Sequence, residues 1–308
     1  MGVTDIFWRS REGKNYSALV YHPTSQPASG TKFSVIVYSH GLGASAQDFS
    51  YLGQAWASRG VVAIMLRHPE SDGSVWRGRV RPMAQLKEAY HRYWHGRDRA
   101  MAIRSAIDFV YAAHYDSGPM GADVDLNKIA VAGNDLGALA ALLVAGQLPP
   151  DNGPSLKDER VSAVVALSPP IYCDEKLGPA VYAGITAPLM VVTGTHDDGI
   201  VGSTKAYQRR LPYDSVRYSD RYLVVLIGGD HRSYGRRWAG QQSSSFHDTI
   251  GTETGDFLSA YLMNDYSALM AMREYGAASA ISNAMIEKTL VPLRIREHES
   301  GGVATSAQ

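Results

Sequence analysis

Apolar positions along the chain cluster into short runs, each closed by turn residues. The runs are Phe33 to Tyr38 (FSVIVY), Val61 to Leu66 (VVAIML), Lys128 to Ala132 (KIAVA), Val161 to Leu167 (VSAVVAL), Leu189 to Thr193 (LMVVT) and Tyr222 to Ile227 (YLVVLI). Near-continuous apolarity of this kind is what strands buried on both sheet faces require. Between the runs, Gln47 to Arg59, Asp98 to Ala113 and Thr254 to Leu262 carry apolar residues at helical spacing. Leu136 to Ala145 (LGALAALLVA) is apolar nearly all round, as a helix sandwiched against a sheet would be. The alternation predicts an α/β domain over residues 1–295, with a mostly parallel central sheet flanked by helices. Residues 68–96 break the rhythm. They are rich in Trp, Arg, Tyr and His without a clear strand, which predicts a short lid rather than a large helical cap. The small polar residues from 296 to 308 read as a disordered tail.

Composition narrows the classes. Of 308 residues, 45% are hydrophobic, enough for a large core, and Lys+Arg balance Asp+Glu at 30 each. With no basic field there is no signature of nucleic-acid or anionic-membrane binding. No apolar stretch is long enough for a membrane span. The first residues do not read as a signal peptide. The single cysteine, Cys173, cannot form an internal disulfide, and together these features point to a cytoplasmic protein acting on a small molecule. Cys173 lies in SPPIYCDEK with no glycine elbow around it, so it reads as a packing residue rather than a nucleophile. Homo-oligomerisation stays open.

The strongest chemical signal is Gly133-Asn134-Asp135-Leu136-Gly137, set between the run KIAVA and the apolar helix. Glycines on both sides of a strand-to-helix turn allow the strained geometry of a nucleophile elbow, which lifts the middle side chain above the sheet. That side chain is Asp135. The plainer reading, a helix N-cap, leaves both glycines and the two partners below unexplained. Those partners follow in the chain order expected of such a site. Asp197 stands in Thr193-Gly194-Thr195-His196-Asp197-Asp198 after one strand, with Asp198 as the alternative acid. His231 stands in Gly228-Gly229-Asp230-His231 after the last run. The turn His40-Gly41-Leu42-Gly43 follows FSVIVYS. Backbone N–H groups of Leu42 and Leu136 are the expected oxyanion donors, and His40 reads as a structural residue of the turn.

These four signatures resemble the α/β-hydrolase family over about residues 15 to 265. Within it the chain looks most like dienelactone-hydrolase-like esterases, including those related to platelet-activating-factor acetylhydrolase. That likeness rests on YSHGLGAS, HPESDGSVWRG, TGTHDD and GGDH. It implies the fold, an Asp197–His231 pair and an oxyanion hole. Such esterases carry serine at the elbow, where this chain has Asp135. An aspartate there looks instead like epoxide hydrolases and haloalkane or fluoroacetate dehalogenases. In their shared mechanism a carboxylate attacks an sp³ carbon, and a histidine-activated water then hydrolyses the alkyl-enzyme ester.

The leaving group stays open between an epoxide oxygen and a halide. Leu42 and Leu136 occupy the places where a haloalkane dehalogenase holds halide with Asn-like and Trp donors. Candidates for contacting substrate or leaving group are Trp76, Arg77, Arg79, Tyr90 and Tyr93 in the lid, and Tyr172 after a strand end. The leading expectation is an Asp-nucleophile hydrolase. An esterase relative with a replaced serine comes next, then an acid–base lyase or isomerase, and last a binding module. No metal cluster, phosphate loop or dinucleotide fingerprint occurs, so no cofactor is expected.

Overall fold

The computed structural model describes residues 1–27, 31–115, 123–236, 243–263, 265–274, 278–281 and 283–291. The tail expected at 296–308 lies outside them. The strands are β1 (Gly2–Arg9), β2 (Asn15–His22), β3 (Phe33–Ser39), β4 (Val61–Leu66), β5 (Val124–Asn134), β6 (Val161–Leu167), β7 (Leu189–His196), β8 (Arg221–Asp230), β9 (Ala278–Ile281) and β10 (Ala284–Thr289). They form one sheet in the order β1-β2-β4-β3-β5-β6-β7-β8-β10-β9. The central strands from β4 to β8 pair in parallel. Antiparallel pairs β1/β2, β2/β4, β8/β10 and β10/β9 close the two flanks. This is an α/β-hydrolase fold, and the six expected apolar runs are its six parallel strands.

Two hydrophobic layers sandwich the sheet, and strand alternation assigns residues to each. Val35 and Val37 of β3, Ile129 and Val131 of β5, and Val164 and Ala166 of β6 face one layer. That layer is built by α3 (Arg97–Tyr115) and α4 (Leu136–Ala145). Ile36, Tyr38, Ala130, Ala132, Val165 and Leu167 face the other. There α1 (Ser50–Ala57) contributes Leu52 and Trp56, and α7 (Ser243–Leu262) contributes Phe246, Ile250, Phe257 and Leu258. All ten residues of α4 are buried, which explains its lack of a polar face.

Four features depart from the sequence pattern. Strands β1, β2, β9 and β10 carry too little continuous apolarity to stand out, because each lies at or beside a sheet edge. Helix α7 begins eleven residues earlier than the run Thr254 to Leu262, through a polar, Ser-rich first turn. The helix expected from Gln47 to Arg59 starts as a 3-10 turn, Ala46–Phe49, before α1. The lid segment holds a regular helix, α2 (Pro82–Tyr93). Pro82 at its first turn and the run Ala-Gln-Leu-Lys-Glu-Ala favour it locally. Leu86, Ala89, Tyr90 and Tyr93 recur at helical spacing on its inner face. The β6–β7 connection carries only the short helix α5 (Gly178–Val181), and the β7–β8 connection the short helix α6 (Leu211–Ser215), so the lid is modest. No helix among the described residues is long and apolar enough to cross a membrane.

Candidate active site

The elbow between β5 and α4 forces Asp135 to φ +52° and ψ −123°. A non-glycine residue held there stores strain on the order of 1–3 kcal/mol. The surrounding glycines are sterically required. A Cβ on Gly137 would lie 1.9 Å from the Ser39 carbonyl oxygen, and one on Gly133 would lie 2.2 Å from the Gly137 backbone. The first turn of α4 therefore presses directly on the end of β3, and the Asp135 side chain is driven up above the sheet edge. Its carboxylate is 14% exposed.

On one side, the Leu42 N–H donates to Asp135 Oδ2 at 3.2 Å. On the other, His231 Nε2 lies 4.0 Å from Oδ1, beyond hydrogen-bonding range. His231 Nδ1 sits 2.9 Å from Asp197 Oδ1. The three residues thus meet at the carboxyl ends of β5, β7 and β8, where open α/β sheets place their ligands. Leu136, the other expected oxyanion donor, opens α4 directly after the elbow. The His231 turn is shaped by Asp230, whose carboxylate accepts from the Arg232 N–H at 2.9 Å and the Ser233 hydroxyl at 3.0 Å.

Asp197 is 0% exposed and surrounded by donors. Ser168 Oγ donates to Oδ1 at 2.9 Å, and Thr193 Oγ1 and Tyr234 OH donate to Oδ2 at 3.1 and 2.7 Å. Arg209 Nε lies 3.2 Å from Oδ1. Burial pushes the Asp197 carboxyl up. The His231 hydrogen bond, the charges of Arg209 and His231 and the Tyr234 bond outweigh it, so the group lies below the usual carboxylate range. Burial and the Asp197 charge push the Tyr234 hydroxyl well up, which keeps it a donor. Asp198 has a different setting. It is exposed and binds Lys205 Nζ at 2.8 Å and the Ala206 N–H at 2.9 Å.

Behind the Leu42 turn lies a buried polar wall. His40 Nδ1 is 2.8 Å from the Gly41 carbonyl oxygen. That oxygen belongs to the same planar peptide as the Leu42 N–H, so the contact helps aim the N–H at Asp135. Arg99, 2% exposed, donates to the His40 carbonyl and, at 2.8 Å, to Ser71 Oγ. His68 Nε2 lies 2.8 Å from Ser39 Oγ. Burial, then the Arg99 charge, lowers His40 to about 3 and His68 well below its ordinary value. Burial brings Arg99 down to about 10, and the Asp135 charge leads the interactions that hold it up.

The cleft over Asp135 opens to solvent and is walled by Leu42, Phe49, Trp76, Leu86, Ile200 and Val201. Trp76 Nε1–H donates to the Gly43 carbonyl at 2.8 Å, tying the lid to the turn from His40 to Gly43. Arg77 stacks over Trp76 with its guanidinium 5.9 Å from the ring centre, exposed to solvent; Arg79 is exposed as well. Tyr90 reaches towards Gly202. Burial, then the Asp135 charge, raises its hydroxyl. Tyr93 packs on the layer of α3 and α4. Tyr172 stands apart: its hydroxyl accepts from Gln147 Nε2 at 2.8 Å and donates to the Leu148 carbonyl. Burial, then Asp174, raises the Cys173 thiol, which is half-buried away from the cleft.

Ser168, Arg209, Tyr234 and Arg99 carry much of the site's geometry without a motif to announce them. Ser168 and Tyr234 flank recognisable signals, the SPP strand end and GGDH. The two arginines have no local signature. Among the described residues, no group of three His, Cys, Asp or Glu side chains could hold a metal ion. In comparison with known proteins, a family model described as platelet-activating factor acetylhydrolase, isoform II, matches residues 18–90. That stretch runs from β2 through the turn from His40 to Gly43 into α2 and ends before the elbow. No curated protein matches the chain. This partial match and the sheet are both consistent with the α/β-hydrolase superfamily, and the fold is compatible with hydrolase chemistry.

Proposed function

We propose that this protein is a cofactor-independent hydrolase in which the Asp135 carboxylate attacks carbon in an epoxide or another C–X substrate. The observation that carries the reading is the split environment of that carboxylate: Oδ2 is held by the Leu42 N–H, and Oδ1 faces the cleft and His231. In the first step Oδ1 bonds to the substrate carbon and the carbon–oxygen or carbon–halogen bond breaks, its electron pair leaving with the departing atom. An epoxide oxygen then takes up a proton; Tyr90 is the lid hydroxyl whose electrostatics respond to Asp135. In the second step His231 Nε2 removes a proton from water. The oxygen adds to the Asp135 carboxyl carbon, and the oxyanion forms on Oδ2, where the Leu42 N–H already points. Collapse breaks the bond between the carboxyl carbon and the alkyl oxygen, which takes the proton from His231 Nε2 and leaves as the alcohol or diol. The Asp135 carboxyl then gives up its remaining proton, to solvent with a halide or back to the proton donor with an epoxide, and is a carboxylate again. Asp197 holds the imidazole and stabilises its cation.

The second reading is an esterase relative whose serine has been replaced by Asp135. The family match over residues 18–90 favours it, because a carboxylate attacking an ordinary ester would form a mixed anhydride with a poor leaving group. One experiment separates the two. Epoxides, haloalkanes, haloacids and short-chain aryl esters are offered to the protein, to Asp135→Asn and to Asp135→Ser. The first reading expects turnover of an epoxide or halide that Asn abolishes. It also expects single turnover in ¹⁸O-water to place label in the Asp135 carboxylate, and His231→Gln to accumulate an Asp135 adduct by mass spectrometry. An inactive Asp form with ester hydrolysis appearing in Asp135→Ser would establish the second reading instead.

A further inference from the structure

Arg209 sits in the 3-10 turn Ala206–Arg210, outside every recognisable motif, yet its side chain is 1% exposed. Its Nη1 donates to the Ser168 and Pro169 carbonyls at 2.8 and 2.9 Å, gripping the end of β6. Its Nε donates to the Asp197 carbonyl at 2.6 Å and lies 3.2 Å from the carboxylate, gripping the end of β7. Its Nη2 lies 3.3 Å from His231 Nδ1. A guanidinium only donates and stays charged. It therefore abuts the ring nitrogen that must itself carry a proton to donate to Asp197.

We infer that Arg209 is a positioning residue that fixes the Asp197–His231 pair and offsets the Asp197 charge at the ring, so that removing the arginine raises the pH at which the imidazole takes up its second proton. The functional side of this inference rests on the reading of His231 as general base. The electrostatic side does not. The charged and titratable groups facing His231 are Asp197 at the end of β7, Arg209, Asp135 at the elbow, and its neighbours Asp230 and Arg232. Asp48 lies across the cleft, and Ser168 and Tyr234 are neutral donors. Asp197 and Arg209 are the two buried against the Nδ1 side, so they dominate there by distance and by low dielectric. A plain strut at the ends of β6 and β7 would explain the carbonyl contacts but not a cation placed beside Nδ1.

The test is the titration of the His231 ring in the resting protein by nuclear magnetic resonance, assigned by its disappearance in His231→Gln. Arg209→Gln should raise the His231 midpoint by about one to three pH units. Arg209→Lys, which keeps the charge, should hold it close to the unmodified value. Asp197→Asn should lower it, and Asp197→Asn with Arg209→Gln should return it towards the unmodified value. If Arg209→Gln does not fold, the same contrast is read between Asp197→Asn and the double variant. An unmoved or lowered midpoint on loss of the arginine, in whichever background is read, overturns the inference. In active protein the acidic limb of kcat/KM should rise with the midpoint. A midpoint that moves while no substrate of the panel is turned over would uphold Arg209 as charge partner and reject the hydrolase reading.

Discussion

Asp135 and Asp197 are the same side chain at the ends of β5 and β7, with β6 between them, and the fold treats them in opposite ways. Asp197 is sealed from solvent, and its oxygens accept from Ser168, Thr193, Tyr234 and His231 beside the Arg209 cation. Asp135 faces a cleft, strained at the elbow, and among the described residues its carboxylate accepts the Leu42 N–H alone. A carboxylate has about four lone-pair sites. Saturated with donors, its electrons are committed and it serves as an anchor. Left mostly unsatisfied beside apolar walls, it keeps lone pairs uncommitted, which is what the proposed attack on carbon requires. The comparison teaches that the donor count, rather than the residue type, assigns the two roles.

The largest effects should come from removing one charge from each carboxylate. Asp135→Asn should cut turnover by about four orders of magnitude or more with a small change in stability, since the buried Arg99, which the Asp135 charge helps hold protonated, keeps its hydrogen bonds to the His40 carbonyl and Ser71. Asp197→Asn should cost turnover about three to four orders of magnitude through loss of imidazole orientation. It should also cost about 3–5 kcal/mol of stability, because Arg209 is left buried without its counter-charge. Urea unfolding of the two variants side by side checks this. Equal stability losses would erase the distinction between a reactive carboxylate and an anchoring one.

A smaller effect tests the wall that supports the Leu42 donor. The folded chain holds His40 at about 3, through burial and then repulsion by Arg99, against about 6.5 for an unfolded histidine. Between those values the unfolded chain binds a proton that the folded chain refuses. The wall's stability is present above the unfolded value and is lost as pH falls towards the folded one, at about 1.4 kcal/mol per pH unit for each such histidine. His68 shifts in the same direction, so the two losses run together. Unfolding midpoints followed from pH 7 to pH 4 should drop more steeply in the unmodified protein than in His40→Gln. Parallel slopes would mean that the turn is not held by a neutral His40.

Much of this was legible in the sequence. Parallel strands buried on both faces announce themselves as apolar runs, and the elbow, GGDH and HGLG are local strings fixed by backbone geometry. The flanking strands were hidden because they lie at or beside the sheet edges, and β1, β2 and β10 leave residues exposed that break up any apolar run. Leu86, Ala89, Tyr90 and Tyr93 did show a helical stripe within the lid, masked by the aromatic and basic residues around them. Arg209 and Arg99 could not be read at all. Their role comes from reaching across strand ends far apart in the chain, and an arginine destined for burial looks in sequence like any surface arginine.

The smallest expected effect sharpens the comparison from its far end. Asp198 adjoins Asp197 in the chain, and the string His196-Asp197-Asp198 does not separate them. The fold does, because the backbone turns between them. Asp197 points into the sandwich, and Asp198 points outward to Lys205 and the start of the turn at Ala206. The Lys205 hydrogen bond, then that from the Ala206 N–H, lowers the Asp198 carboxyl. Both partners are exposed, where solvent and salt screen the pair and such bridges contribute little. Asp198→Asn should therefore leave turnover, the pH profile and the unfolding midpoint indistinguishable from those of the unmodified protein, while Asp197→Asn alters all three. If Asp198→Asn instead reproduced the loss of activity, the acid partner of His231 would be Asp198, and the dense shell of donors around Asp197 would be a structural fastening alone.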